Sequence, residues 1–174
     1  MKYTKDAMEI ASFCFGKEKV QVIIVEGWEA AMMKQEINIY KEIQRTTEKA
    51  MRAIDTISEK VFDEKLAVQI SKQSLKYAEI RNQAYDKLLE AKAEPYRGSY
   101  VENLKQTGGI QYNTLFNTST SRIAEVMIKS CNAGVLEMNK ALNHNEKADE
   151  QALSLANKLI EFEGKNIAQL TKYL

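Results

Sequence analysis

Three glutamates occupy positions in the sequence where a carboxylate has chemical consequences. Glu29 and Glu36 lie seven residues apart, two helical turns, on the same side as the apolar residues of a long predicted helix. Glu163 lies among the apolar positions of another predicted helix near the end of the chain. A carboxylate that enters a core costs several kcal/mol unless it is paired, protonated or bound to metal. Glu36 and Glu163 are therefore the first candidates for a site.

A small apolar pocket between helices is a second candidate, since bundles often bind ligands there. Methionine adapts well to an irregular cavity, although methionine at helical spacing is also typical of an ordinary core. The residues that would line this pocket are Trp28, Met32, Met127 and Cys131.

Glycines inside predicted helices indicate that something lies close to the backbone there, because each costs up to ~1 kcal/mol relative to alanine. Either neighbouring helices approach closely, or Trp28 covers a patch of small residues, or the glycines border the apolar pocket. The three positions are Gly27, Gly134 and Gly164.

No motif of an enzyme is present. Cys131 follows Ser130, but no histidine lies near it, and His144 falls in a predicted turn. A phosphate-binding glycine loop and a zinc-ligand spacing are both missing. Because Cys14 and Cys131 are far apart and have no Cys-x-x-Cys partners, we expect two reduced thiols in a cytoplasmic protein. We predict a protein without catalytic activity.

Composition and charge exclude several classes of partner. The 174 residues include 25 basic and 24 acidic side chains, for a formal charge of +1, and no basic block suggests nucleic-acid binding. There is no apolar run of about 18 residues, so we expect no membrane span. Asp6 and Glu9 interrupt the segment where a signal peptide would be apolar.

The elements that must position these residues are long helices. A stretch from Lys19 to Asp55 shows apolar spacings of three, four and seven, which predict one amphipathic helix. A capping box over Thr56–Glu59 predicts the start of a second helix, Ile57 to Glu94, which Pro95 and Gly98 close. Two nearly equal helices with a tight connection predict an antiparallel hairpin.

The second half of the chain repeats this arrangement. A crossover rich in glycine and tyrosine precedes a third helix that begins within Thr118–Ser121, and a turn at 143–145 leads to a fourth helix from Glu146. We therefore predict one all-α domain, an antiparallel four-helix bundle of two long helical hairpins joined by a long crossover, with a short N-terminal helix. Its parts are 1–16 (the short helix), 17–94 (the first hairpin), 95–118 (the crossover) and 119–174 (the second hairpin).

This topology resembles that of the ferritin-like superfamily over roughly residues 19 to 174. Di-iron members of that superfamily supply a Glu from each of two helices and a Glu-x-x-His from each of the other two. Here the second helix has Glu79-Ile80-Arg81-Asn82 and the fourth has Glu163-Gly164-Lys165-Asn166, with Asn in place of His. The resemblance implies a candidate iron or manganese site near mid-height of the bundle, formed by Glu36, Glu79, Asn82, Glu125, Glu163 and Asn166.

Two classes of function follow. Glu79 and Glu125 lie off the apolar stripes of their helices, and asparagine is a poorer ligand than imidazole for iron or manganese. We therefore expect a non-enzymatic bundle without a cofactor that forms a homo-oligomer or binds another protein. The alternative is a bundle that binds a metal ion or a small ligand at a degenerate ferritin-like site.

Overall fold

A computed structural model describes the backbone of residues 17–98 and 118–174, with side chains from residue 33 onward. These residues form four α-helices and a short 3-10 turn, which confirms the predicted all-helical class for this part of the chain. The predicted short N-terminal helix and most of the crossover lie outside the described residues. The elements are α1 (Lys17–Ser58), α2 (Glu64–Glu90), α3 (Thr120–His144), α4 (Glu150–Leu170) and the 3-10 turn Thr171–Tyr173.

The predicted capping box at Thr56 is wrong. Thr56 lies inside α1, where its hydroxyl donates a hydrogen bond to the Arg52 carbonyl at 2.7 Å. The cap of α2 is Asp63, whose carboxylate accepts from the Leu66 backbone N–H at 2.8 Å. A carboxylate at this position satisfies one of the unpaired N–H groups at a helix start and also interacts favourably with the helix dipole.

The C-terminal end of α2 comes before the predicted stop at Pro95. The Ala93 N–H donates to the Leu88 carbonyl at 2.8 Å and the Lys92 N–H donates to the Leu89 carbonyl at 2.9 Å. These two bonds form a Schellman motif, which requires a left-handed residue, and Lys92 supplies it with φ 52°.

Replacing Lys92 with glycine is expected to stabilise the protein. A side chain in the left-handed region costs about 1–2 kcal/mol, of which the greater freedom of glycine in the unfolded chain offsets a part. We expect a net gain of about 0.5–1 kcal/mol, measured by urea denaturation. Lys92→Ala keeps the strain and serves as the control, so an equal gain in both variants would contradict the explanation.

A side-chain cap begins each helix of the second pair, and the cap of α3 lies within the predicted Thr118–Ser121 cluster. Ser119 caps α3, and its hydroxyl accepts from the Arg122 N–H at 3.3 Å. Asp149 caps α4, and its carboxylate accepts from the Ala152 N–H at 2.7 Å. α4 therefore begins four residues later than predicted, because residues 145–148 form a turn closed by the Ala148 N–H and the Asn145 carbonyl.

One stripe of each helix enters a common core, and α1 contacts each of the other three helices. Helical spacing predicts buried stripes that include Phe62 and Leu174, but both are exposed: Phe62 (81% exposed) precedes the cap of α2, and Leu174 (63% exposed) follows the 3-10 turn. Most of the predicted stripe positions are buried. The largest fully buried side chains include Ile39, Ile43, Ile57, Leu66, Tyr77, Ile80, Leu88, Ile123, Met127, Met138, Leu159 and Leu170.

Candidate functional site

A buried polar cluster lies where α2, α3 and α4 meet. Glu163 is 1% exposed, and its Oε2 accepts a hydrogen bond from the Tyr77 hydroxyl at 2.6 Å. The Asn166 Nδ2 donates to the same hydroxyl at 3.3 Å, and the Cys131 Sγ lies 3.8 Å from it. We call these four residues the Tyr77 cluster. It places a carboxylate, a phenol, an amide and a thiol within one part of the core.

Helical spacing brings these side chains together. Glu163 and Asn166 are three residues apart on α4, so both face the core from consecutive turns. Tyr77 belongs to the buried stripe of α2, and its ring packs edge-on against Phe162 with centroids 5.0 Å apart. Since a buried tyrosine hydroxyl needs a partner, a carboxylate at this height satisfies it.

Gly134 makes room for the Glu163 carboxylate. A Cβ atom at this position would lie 2.8 Å from the Glu163 Oε1 and 3.2 Å from the Thr46 Cγ2. The predicted close approach at this glycine is therefore that of a side chain. Gly164 has nothing within 4 Å of such an atom, and Gly27 lies outside the residues whose side chains are described.

The surroundings of Glu163 favour its neutral form. Burial raises the pKa of Glu163 to about 7, although hydrogen bonds from Tyr77 and Cys131 oppose the increase. Burial, and then the nearby carboxylate, raise the pKa of the Cys131 thiol. The pKa of Tyr77 is raised by burial, followed by Cys131 and Glu163. Within the Tyr77 cluster, Glu163 is therefore the group whose pKa lies near neutral pH, and the Cys131 thiol is neutral there and a poor nucleophile.

The Glu-x-x-Asn pair of α4 is in the Tyr77 cluster, whereas that of α2 is on the surface. Glu79 is 46% exposed and pairs with Lys76 at 2.6 Å and with Lys158 at 3.3 Å. Hydrogen bonds from these two lysines lower the pKa of Glu79. Asn82 is also exposed, with its Oδ1 3.5 Å from the Arg81 guanidinium.

The two remaining carboxylates of the predicted set also lie away from the Tyr77 cluster. Glu125 is 40% exposed and pairs with Arg122 and Lys129, each at 2.6 Å, and these bonds lower its pKa. Glu36 is half-buried on α1, where burial, and then the charge of Asp149, raise its pKa. Neither Glu36 nor Glu125 hydrogen-bonds any residue of the cluster.

These donors do not fit the dinuclear centre that the ferritin-like resemblance implies. Within residues 33–98 and 118–174, no group of three or more His, Cys, Asp or Glu side chains is arranged to hold a metal ion. The Tyr77 cluster itself contributes one carboxylate, already bonded to Tyr77. A dinuclear site of the ferritin-like kind requires four carboxylates and two further ligands that converge.

The structure describes the side chains of two of the four residues predicted to line the apolar pocket. Met127 and Cys131 are buried in the core, 1% and 2% exposed. The side chains of Trp28 and Met32 lie outside the described residues. Cys131 therefore belongs to the Tyr77 cluster, and Met127 lies one turn away along α3.

Three residues of this region were not predicted as parts of a site: Tyr77, Thr46 and Gln73. Tyr77 lies among the apolar positions that recur along α2, and a hydroxyl in an otherwise aliphatic stripe is itself a signal, because it needs a partner. Gln73 lies one turn before Tyr77 on the same stripe and is 2% exposed. An amide at that position could likewise have indicated a polar site.

Comparison with protein-family models, with curated proteins and with solved structures found no match to this chain. In the part of the chain that the structure describes, no helix is both long enough and apolar enough to span a bilayer.

Proposed function

We propose that this chain is a non-enzymatic helical module that associates with a second copy of itself through the outer side of α2. The observation that carries the proposal is a stripe of exposed apolar side chains on that helix. Leu75, Tyr85 and Leu89 are 73%, 42% and 51% exposed. Apolar side chains that recur along one exposed helix face are typical of helix–helix contacts.

We further propose that the four helices form an antiparallel bundle of the ferritin-like topology. Two pairs of contacts support this arrangement. Between α1 and α3, Asn38 bonds Asn145 and Arg45 bonds Glu137. Moving forward along α1 therefore means moving backward along α3. Between α2 and α4, Tyr77 bonds Glu163 and Glu79 bonds Lys158, with the same reversed order.

The exposed stripe has the spacing of a helix-pairing surface. Leu75, Asn82 and Leu89 are seven residues apart, and Ala78 and Tyr85 lie between them at the alternating offset of a heptad. We call these five residues the outer stripe. A single asparagine within such a seam specifies the register of the two helices. Val68 continues the series by one heptad toward the start of α2 and is 56% exposed.

The charges beside the outer stripe favour a second copy as the partner. Lys72 and Asp86 flank it on one side, and within the described residues neither has an ion-pair partner. If two α2 helices pair in antiparallel orientation about Glu79, Lys72 of each copy meets Asp86 of the other. A two-fold axis forms this contact twice, so the surface is complementary to itself.

Replacing Leu75 and Leu89 with serine is expected to weaken the dimer by about tenfold or more, since burying a leucine side chain against a partner contributes about 1.5–3 kcal/mol. Sedimentation equilibrium over a range of concentrations measures the dissociation constant. Asp86→Lys should also weaken the dimer, and adding Lys72→Asp should restore it.

Leu136→Ser provides the matched control, because Leu136 is 55% exposed on α3, away from the outer stripe. It should leave the dissociation constant unchanged. A chain that remains monomeric at every concentration, or a dimer that Leu136→Ser weakens as much as the double variant, would contradict self-association through α2.

A second candidate function is binding of a small ligand or of a single iron or manganese ion around Glu163. The observation that favours it is that Glu163 and Asn166, the two polar residues of the predicted Glu-x-x-Asn pair on α4, both hydrogen-bond the buried Tyr77 hydroxyl. Elemental analysis of protein purified without chelator, compared with Glu163→Gln, tests the metal. Metal present in near-stoichiometric amount and lost in that variant would support this second candidate over a role without any cofactor.

A further inference from the structure

A cleft of about 550 Å3 opens between the start of α2 and the end of α4, beside the Tyr77 cluster. Its volume lies within the range of small-molecule sites in proteins. Leu75, Asn82 and Leu89 of the outer stripe do not line it, whereas Val68 and Lys72, which extend and flank that stripe, do. The cleft therefore adjoins the surface proposed for self-association.

The charged side chains around this cleft are all cationic. Four lysines line it, and no carboxylate does: Lys65, Lys72, Lys165 and Lys172. Lys165 pairs with Glu161 at 2.6 Å. Within the described part of the chain, the other three have no ion-pair partner. Several cations around one concave surface raise the local concentration of anions there.

The inner wall of the cleft contains a buried amide without partners. Gln73 lines the cleft and is 2% exposed, and among the described residues neither its Nε2 nor its Oε1 has a hydrogen-bond partner. The Nε2 of Gln69, one turn earlier on α2, is also buried and unpartnered. Buried polar groups in native proteins are nearly always satisfied, so an unpaired donor and acceptor on one side chain indicate a group that binds there.

An apolar surface completes the lining. The Phe162 ring is held edge-on against Tyr77, and Tyr173 lines the cleft from the 3-10 turn. Asn166 connects the cleft to the Tyr77 hydroxyl at 3.3 Å. The cleft thus combines cations at its rim, an amide donor and acceptor at depth, and aromatic rings on one side.

From this combination we propose that the cleft binds a small organic anion, a phosphate ester or a carboxylate, that also carries an apolar ring. The anionic group lies among the lysines, one of its oxygens accepts from the Gln73 amide, and the ring packs against Phe162 and Tyr173. Lysines act as charges of little geometric preference, so the lining suits phosphate and carboxylate alike.

Calorimetric titration with phenyl phosphate, benzoate, inorganic phosphate and benzylamine at constant ionic strength tests this proposal. The two aromatic anions should bind, and their relative affinity distinguishes phosphate from carboxylate. Inorganic phosphate should bind more weakly because it lacks the ring, and the benzylamine cation should not bind. Added sodium chloride should weaken binding, as expected for exposed charges.

Variants that keep the core intact locate the binding. Lys65→Gln and Lys172→Gln should each weaken the preferred anion by about tenfold, because a hydrogen bond to a charged group is worth about that much. Lys129→Gln, which removes a surface lysine on α3, is the matched control and should change nothing. Lys72 is left unchanged, because it also flanks the outer stripe.

Gln73→Met separates a ligand site from a structural amide. It should raise the melting temperature of the free protein, because an unpaired buried amide is removed, and it should also weaken anion binding. Binding that is unaffected in Lys172→Gln and Gln73→Met would overturn the proposal, as would the failure of all three anions to bind. If ligand-free Gln73→Met melts at a lower temperature than the ligand-free wild type, an ordered water satisfies the Gln73 amide.

Discussion

Replacing Glu163 with glutamine is expected to stabilise the protein at pH 8 by roughly 3 kcal/mol and to leave its stability nearly unchanged at pH 4.5. Glutamine has the shape of neutral glutamic acid, so its carbonyl oxygen can accept the Tyr77 hydroxyl bond. Its amide then faces Cys131, whose sulfur is a weak acceptor. The variant keeps the packing and removes the buried charge.

The direction of the Glu163 pKa shift determines how the free energy of unfolding changes with pH. Burial raises the pKa of Glu163 to about 7 in the folded protein, from an ordinary value of 4.5 in the unfolded chain. Between these values the folded state binds more protons than the unfolded state, so the free energy of unfolding falls as the pH rises. The stability that the folded protein gains from holding Glu163 neutral is fully present below pH 4.5. It is lost progressively up to about pH 7 and is absent above that value.

Urea denaturation of the wild type and of Glu163→Gln at several values between pH 4.5 and pH 8 measures the difference in their free energies of unfolding. The titration of groups common to both proteins cancels in this difference. Glu125→Gln is the control, because Glu125 is an exposed carboxylate whose pKa is lowered by Lys129 and Arg122. It should not reduce the pH dependence in this window. A constant difference between wild type and Glu163→Gln from pH 4.5 to pH 8 would mean that Glu163 titrates normally.

Replacing Gly134 with alanine is expected to destabilise the protein, whereas the same change at Gly164 is expected to stabilise it. The new Cβ at position 134 would lie 2.8 Å from the Glu163 carboxylate, which the Tyr77 bond holds in place. The strain and the disturbed bond outweigh the gain in helix propensity, for a net loss of about 1–2 kcal/mol. At Gly164 the space is open, so alanine should gain about 1 kcal/mol.

A double-mutant cycle with Glu163→Ala tests the cause of the loss at Gly134. Once the carboxylate is removed, Gly134→Ala should destabilise much less, because the closer of the two atoms that the new Cβ meets is gone and only the Thr46 Cγ2 at 3.2 Å remains. Chemical denaturation of the four proteins gives the interaction free energy. If Gly134→Ala costs the same in both backgrounds, the contact with Glu163 does not explain the glycine.

Helix periodicity predicted much of the fold because each helix buries one continuous stripe. Ile39, Ile70, Met127 and Leu159 lie on such stripes, and all are buried. The ends of helices were predicted less well, because several residues near each turn can act as a cap. Asp63 and Asp149 are the caps observed, whereas Thr56 and Glu146 had been expected to begin their helices.

The candidate site was predicted in part. Glu163 was identified from its position on the apolar face of α4, because burial depends mainly on the helix face, and Asn166 was identified from the Glu-x-x-Asn pattern of the resemblance. Their partner Tyr77 was not, because which residues meet between helices depends on the rotation and height of each helix, which periodicity leaves undetermined. Glu79 and Glu125 are at the surface instead of in the cluster, as their positions off the apolar stripes of their helices indicate.

The position of α1 among the other helices has a consequence for how the molecule unfolds. α1 contacts α2, α3 and α4, and Asn38 ties it to the Asn145 turn between the last two helices. Residues 17–98 and residues 118–174 therefore pack against each other largely through α1. We expect the described helices to unfold as a single cooperative unit, so that neither half retains its structure after the other has opened.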